Sequence, residues 1–317
     1  MRQRIIGLAI VNILLVSMLT ILAPNFLKAG NWIAILNNMA LETVVLSAAA
    51  MLMIGGMLDL SIDGTIAMSG VVAGKLMTDG WNPYAAAAVG VGCGGVVGMA
   101  NGLAINKGRA NPLVVTLATG WMALGVAYGL TQGKSFYGFP AAFQALAQTQ
   151  IFGLRIIVLY GLLAVLGFSF VLHLTRFGSW TFLSGDNPES SRLMGISVEG
   201  VHLKLYIATG MAAGFVGVML ASRLDAATPI IADGTALRVI AAAVIGGCSL
   251  AGGYGTIAGG VLGLLLMNVL SNAAILVGIS VYWSKWIIGL TLLAAVLLDP
   301  IGRDLYIKVR RGKNGKG

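Results

Sequence analysis

Apolar residues run along this chain in blocks of about twenty, separated by short polar punctuation and by one long hydrophilic interruption, Arg176 to Lys204. Windows long enough to cross about 30 Å of hydrocarbon fall near 5–22, 33–57, 62–78, 84–106, 112–131, 154–173, 205–222, 237–252, 255–278 and 282–299. The pattern predicts an all-α integral membrane protein with about ten transmembrane helices. An even number of spans leaves both termini on one side, and the basic residues choose which. With the N-terminus inside, 13 of the 20 Lys and Arg are cytoplasmic: Arg2, Arg4, Lys107, Arg109, Arg176, Arg192, Lys204, Arg303 and the tail residues Lys308, Arg310, Arg311, Lys313 and Lys316. Lys28, Lys75, Lys134, Arg155, Arg223, Arg238 and Lys285 remain outside. This predicts one transmembrane domain over 1–317, a cytoplasmic loop at 174–204 and a basic cytoplasmic tail at 300–317.

The interruption reads RFGSWTFLSGDNPESSRLMGISVEGVHLK. Asp186 or Asn187 suits a helix N-cap, Pro188 the first helical position, and Glu189 the positive helix N-terminus. Gly195 can end that helix one or two turns later. A short exposed helix on the membrane surface is expected; the same spacing also fits a plain capped connector.

Composition sharpens the class. Hydrophobic residues make up 58% and charged residues 10%, with a mean hydropathy of +0.91, whereas a soluble domain carries about 25% charge. The net charge of +9 sits at helix ends and in the tail, which suits anionic lipid and the positive-inside rule, not nucleic acid. Cys93 and Cys248 lie in glycine-rich apolar stretches and read as small core residues, with no disulfide or metal spacing. Ile5 to Leu22 has a secretory look, but Ala23-Pro24-Asn25-Phe26 follows it in place of an A-x-A site, so a retained first span is expected.

Glycine recurs every four residues at Gly94, Gly98 and Gly102, at Gly210 and Gly214, and at Gly255, Gly259 and Gly263. Bare backbone on one face lets helices approach closely in lipid; a glycine-lined path is the alternative. Ile54-Gly55-Gly56, then Gly64-Thr65-Ile66-Ala67, returns 191 positions later as Ile245-Gly246-Gly247, then Gly255-Thr256-Ile257-Ala258. The offset spans an even number of helices, so it predicts a parallel internal repeat, and Gly-rich breaks in corresponding halves point toward a substrate path.

Soluble-enzyme constellations are missing: there is no phosphate-binding loop, no His and Cys ligand set and no H-E-x-x-H. Any ATP must bind another chain. His173 and His202 border the loop and read as interfacial. Inside the apolar runs stand Glu42, Asp59 and Asp63, and an intramembrane carboxylate is a functional candidate because its burial is costly. With Asn38, Ser61, Asn101, Thr116, Ser249, Asn268 and Asn272, Glu42 and Asp59 form a candidate substrate pathway; hydrogen bonds between helices are the competing role. Asp59 and Asp63 also suit caps at a helix break.

GGMLDLSIDGTIAMSG at 55–70, NPLVVTLATGWMALGVAYGLTQG at 111–133, GDNPESSRLMGISVEGVHLKLY at 185–206 and AAAVIGGCSLAGGYGTIAGGVLG at 241–263 resemble the permease subunits of bacterial ABC sugar importers. These are the ribose, xylose and galactose type, within the branched-chain-amino-acid-permease-like superfamily. VYWSKWIIGLTLLAAVLLD at 281–299 resembles that family's last span. The resemblance implies a non-enzymatic translocation subunit for a monosaccharide or related polyol in the bacterial inner membrane. It implies a second permease copy, identical or sister, ATP-binding subunits that hold ATP and Mg inside, and a solute-binding protein outside, with no cofactor in this chain. Gly185, Asp186, Asn187, Pro188, Glu189, Arg192 and Gly195 would then couple to the ATPase. Two residues depart from the family pattern: Asp63 adds a carboxylate after Asp59-Leu60-Ser61, and Arg238 stands in a segment that is usually acidic. A secondary transporter driven by an ion gradient is the alternative; the few intramembrane acids weigh against it.

Overall fold

The computed structural model describes residues 2–23 and 25–276, together with 278, 280, 283, 286, 289, 290 and 293. The helices are α1 (Arg2–Leu22), α2 (Ala29–Ile54), α3 (Ile62–Thr78), α4 (Pro83–Gly108), α5 (Pro112–Thr131), α6 (Ala141–Gln148), α7 (Ile156–Leu174), α8 (Arg176–Asp186), α9 (Pro188–Leu193), α10 (Val198–Leu224), α11 (Thr235–Ile245) and α12 (Ile257–Leu276). Four two-residue strands accompany them: β1 (Phe136–Tyr137), β2 (Gln150–Ile151), β3 (Leu154–Arg155) and β4 (Ala226–Ala227). Among the described residues six helices, α2, α4, α5, α7, α10 and α12, are long and apolar enough to cross a membrane; α1 and α11 contain shorter apolar stretches. The chain is a mostly helical, multi-pass membrane protein. Most of the expected span at 282–299 and all of the tail at 300–317 lie outside the described residues.

Each of the other nine windows holds a helix, two of them (62–78 and 112–131) with the same bounds and the rest with changed ones. The window at 205–222 begins seven residues earlier, at Val198, so the hydrophilic interruption is largely helical. The window at 237–252 stops at Ile245, and residues 246–256 are not helical. Its glycines are the cause. Gly247 has φ +90° and directs Gly247 N to Val244 O and Cys248 N to Ala243 O, closing the last turn on itself. The same arrangement ends α2: Gly56 has φ +80°, with Gly56 N bonded to Met53 O and Met57 N to Leu52 O. Both elbows therefore share one hydrogen-bond pattern at an offset of 191 residues.

α2 and α10 form the buried centre, whereas α5 and α7 turn apolar side chains such as Trp121, Met122, Leu163 and Phe170 outward. Outward apolar residues suit lipid, and the core is held by close backbone approach. A Cβ on Gly94 would fall 2.2 Å from Gly210 O, and one on Gly98 2.2 Å from Tyr206 O, so α4 and α10 touch backbone to backbone. Gly259 and Gly263 do the same for α12 against α11, at 2.1 Å from Gly246 O and 2.2 Å from Ala242 O. Gly255 lies before α12, in the connection, and does not extend that stripe.

The two ends of the bundle differ. At one, α8 and α9 pack against the C-terminal end of α2 and the start of α10. At the other, β1 pairs with β4, and α6 lies across the end of α10, where Ser222 Oγ donates to Phe143 O at 2.6 Å.

Candidate functional site: a polar cavity and a helical foot

A cavity of about 320 Å³ lies between α2, α10, α11 and α12, in the half of the bundle nearer α6. It suits a single small ligand, being at the lower end of the about 300–1,000 Å³ range of ligand pockets. Its polar wall comes from four helices: Asn38 and Glu42 on α2, Arg223 on α10, Arg238 and Thr235 on α11, and Asn268, Ser271 and Asn272 on α12. Arg238 Nη1 donates to Glu42 Oε1 at 2.9 Å, and Asn268 Nδ2 to Glu42 Oε2 at 3.3 Å. Arg223 donates from Nη1 to Asn37 O at 3.1 Å and from Nη2 to Asn38 Oδ1 at 2.9 Å. Asn31 and Asn272 exchange two side-chain bonds, at 3.1 and 2.8 Å. Every wall is thus tied to α2.

α11 is a short helix and needs such ties. Gly234, with φ +85°, supplies no side chain to cap it. Asp63, from the first turn of α3, does so across the bundle: Gly234 N donates to Oδ2 at 3.0 Å and Ala236 N to Oδ1 at 2.6 Å. Asp63 therefore caps α11, not its own helix. Asp63 and Arg238, the two departures singled out in the sequence, both anchor this one element.

A second polar network lies at the break between α2 and α3. Asp59 accepts from Ser61 N at 2.8 Å and from Ser61 Oγ at 2.5 Å, so it caps the break as expected. Asn101 Nδ2 then donates to Ser61 Oγ at 2.9 Å, and Thr119 Oγ1 to Asn101 Oδ1 at 2.6 Å. Leu60 N donates to Thr116 Oγ1 at 3.1 Å, and Tyr206 OH to Leu58 O at 2.9 Å. His202 is buried, not interfacial; its Nε2 lies 3.1 Å from Gly55 O, so this nitrogen carries the proton. His173 stays exposed.

At the opposite end, Asn187 is the cap of α9, accepting from Ser190 N at 3.0 Å; Asp186 closes α8 instead. Pro188 and Glu189 occupy the first turn, and Gly195, at φ +80°, ends it. Arg192 donates twice to Glu199 Oε1, at 3.0 and 2.7 Å, fixing α9 to the first turn of α10. Leu193 is 90% exposed and Met194 60%. At Gly185 the base of this foot meets the end of α2 and the connection after α11 backbone to backbone. A Cβ on Gly185 would fall 2.0 Å from Ile54 O and 2.7 Å from Gly253 N, and Gly253 N donates to Ile54 O at 2.9 Å.

Residues 31–296 match the family described as the permease component of the branched-chain amino acid transport system. The chain belongs to that permease family. It is 33% identical to an L-arabinose ABC transporter permease of Azospirillum brasilense, over 94% of this chain and 88% of the relative. It is 32% identical to a ribose import permease of Bacillus subtilis, over 90% and 89%. A D-allose transport system permease of Escherichia coli is 33% identical over 77% and 75%. No solved structure matches.

In this permease the nine candidate pathway residues separate into three groups. Asn38, Glu42, Asn268 and Asn272 meet at the cavity. Asp59, Ser61, Asn101 and Thr116 form the network at the α2–α3 break, the bracing role also open to them. Ser249 sits apart in the connection after α11, accepting from Ala251 N at 3.1 Å. Sequence reasoning left Arg223 and Arg238 out of the site because both stood at predicted span ends. The weak signal for Arg238 was its departure from the family pattern.

Proposed function

We propose that this chain is the translocation subunit of an ATP-driven importer for a monosaccharide or a related polyol, working by alternating access. The observation that carries the reading is the backbone contact of Gly185 with Ile54 and Gly253. At Gly185 a displacement of α8 and α9 passes through backbone to α2, which walls the cavity, and to the connection between α11 and α12, two further helices that wall it. In this scheme Gly185, Asp186, Asn187, Pro188, Glu189, Arg192 and Gly195 form the coupling element within 174–204. Exposed Leu193 and Met194 suit an apolar cleft on an ATP-binding subunit, which holds ATP and Mg. Asn38, Glu42, Asn268 and Asn272 line the solute path, and the break network and Ser249 brace it.

About ten spans in one domain over 1–317, both termini and the α8–α9 end cytoplasmic, and a location in the bacterial inner membrane complete the scheme. The cavity then faces the outer side, where a solute-binding protein delivers. A second permease copy stands beside this one, and the basic 300–317 tail meets anionic lipid. The matched elbows of α2 and α11 favour a parallel internal repeat.

The test is affinity capture of the tagged protein from its host, then uptake and ATPase assays on the complex with residues 187–194 deleted. Co-purification of an ATPase and a binding protein, with ATPase activity kept and uptake lost on deletion, is the expected result. Capture of the chain alone, with uptake driven by an ion gradient, would replace the reading with a secondary transporter.

A further inference from the structure

The charges around the cavity do not balance. Arg223 and Arg238 line it, and Arg155, just before α7, is close enough to Arg223 for their charges to interact. Among the described residues Glu42 is the one carboxylate in the lining. Its two oxygens are committed, Oε1 to Arg238 and Oε2 to Asn268. Arg223 is hydrogen-bonded to neutral oxygens of Asn37 and Asn38; Glu42 is close enough for its charge to act on Arg223, but among the described residues no carboxylate forms an ion pair with it. Asp225, two residues away, accepts from Phe139 N at 2.7 Å at the end of α10.

We propose that this cavity takes a polyol bearing one carboxylate, a sugar acid, with Arg223 as its carboxylate-binding group. The inference rests on the importer reading above. A guanidinium has five N–H donors in a planar fork, and the two bonds to α2 fix its orientation while leaving donors for a ligand. A carboxylate can accept two of them in parallel, a stronger contact than any hydroxyl makes. The cation is only half-buried, and the acid whose charge reaches it, Glu42, is already ion-paired with Arg238, so an anionic solute supplies the charge that the described lining leaves out; a neutral sugar does not. Hydroxyls of the solute have Asn38 Nδ2, Thr235 and Ser271 within the same lining. Glu42, already neutralised by Arg238, does not repel the ligand as a bare carboxylate would. The substrate class therefore differs from the arabinose, ribose and allose named for the relatives.

The experiment uses the whole transporter, permease with its ATPase and binding protein, in liposomes. Labelled gluconate and galacturonate are compared with labelled ribose, arabinose and allose, in the native protein and in Arg223→Gln and Arg223→Lys. ATP-dependent uptake of a sugar acid is expected, lowered roughly tenfold or more by Arg223→Gln and less by Arg223→Lys, which keeps the charge. Should Arg223→Gln fold poorly, competition in the native transporter decides: excess unlabelled sugar acid must suppress uptake, and the matching neutral sugar must not. ATP-dependent uptake of neutral sugars that sugar acids neither share nor inhibit overturns the substrate class and leaves the importer standing. No ATP-dependent uptake of either class overturns the importer reading and this inference with it.

Discussion

Arg238 and Glu42 lie 196 positions apart in the chain and meet as an ion pair at 2.9 Å, with 28% and 16% of their side chains exposed. The pair joins the side of α11 to α2. Asp63 fastens the N-terminus of α11 to α3, and at its other end Gly246 packs on the backbone of α12 at Gly259 and Gly260, while Gly252 and Gly253 in the connection beyond abut the C-terminal end of α2 and the foot of α8. A helix of 11 residues is thus held at both ends and on one side, where it borders the cavity.

Breaking the Arg238–Glu42 pair from either side leaves a charge in a partly closed cavity. Truncating one partner of a fully buried pair costs about 3–5 kcal/mol, and the residual exposure here lowers the expectation to roughly 2–3 kcal/mol. Glu42→Gln and Arg238→Gln should each lower the thermal midpoint of the solubilised protein, and Glu42→Gln should reduce transport more than yield. The exchange Glu42→Arg with Arg238→Glu should recover part of the loss in a double-mutant cycle. Additive losses with no recovery would show that the pair is incidental.

Asp63 caps from a distance, so its removal should act on α11 and not on α3. Asp63→Ala is expected to cost about 1–2 kcal/mol, near the upper range for a lost N-cap, with faster hydrogen exchange at Gly234 and Ala236. Asp63→Asn keeps one acceptor oxygen and should lie between. Unchanged exchange at those two amides would rule out the cap.

Gly185 has no room for a methyl group, since its Cβ would enter Ile54 O. Gly185→Ala must push the base of α8 away from α2, and uptake should fall sharply while ATP hydrolysis by the complex continues. Gly195→Ala, where nothing crowds the site but φ is +80°, should cost about 1 kcal/mol and keep most of the uptake. Equal effects of the two substitutions on uptake would contradict a transmission role for the Gly185 contact.

Gly98→Leu tests the α4–α10 seam. The added side chain meets Tyr206 O and Ile207 Cα, both backbone, so the helices must separate. Overpacking typically costs about 1–3 kcal/mol and here runs through backbone, so the yield of folded protein should drop steeply. Gly92→Leu, where a Cβ would meet nothing within 4 Å, is the control and should be tolerated.

Most of the fold was legible in the chain, because lipid imposes a length on each apolar run and a polar gap between runs. The α3 and α5 windows coincide with the observed helices, and the Asn187-Pro188 start of α9 follows its capping residues. Errors gathered where glycine ends a helix inside an apolar stretch: hydropathy sees 237–252 as continuous, whereas Gly246 and Gly247 stop α11. α8 was missed for the opposite reason, its mean composition being too polar to register as a span.

Sequence alone determined what each helix is made of: which runs are apolar, where caps and glycines stand, and that Glu42, Asp59 and Asp63 lie in or beside apolar segments. Those properties follow from local composition and spacing. Only the tertiary structure decided that Asn38 and Glu42 share a cavity while Asp59 and Asn101 brace a break, and that Arg223 and Arg238 belong beside the former. An apolar helix in lipid has no strong polar face to declare its orientation, and a hydrogen-bond donor on it satisfies itself with whichever acceptor packing brings near. Packing here turns on glycine contacts between helices distant in sequence, such as Gly94 with Gly210, and no local pattern encodes which pairs will meet.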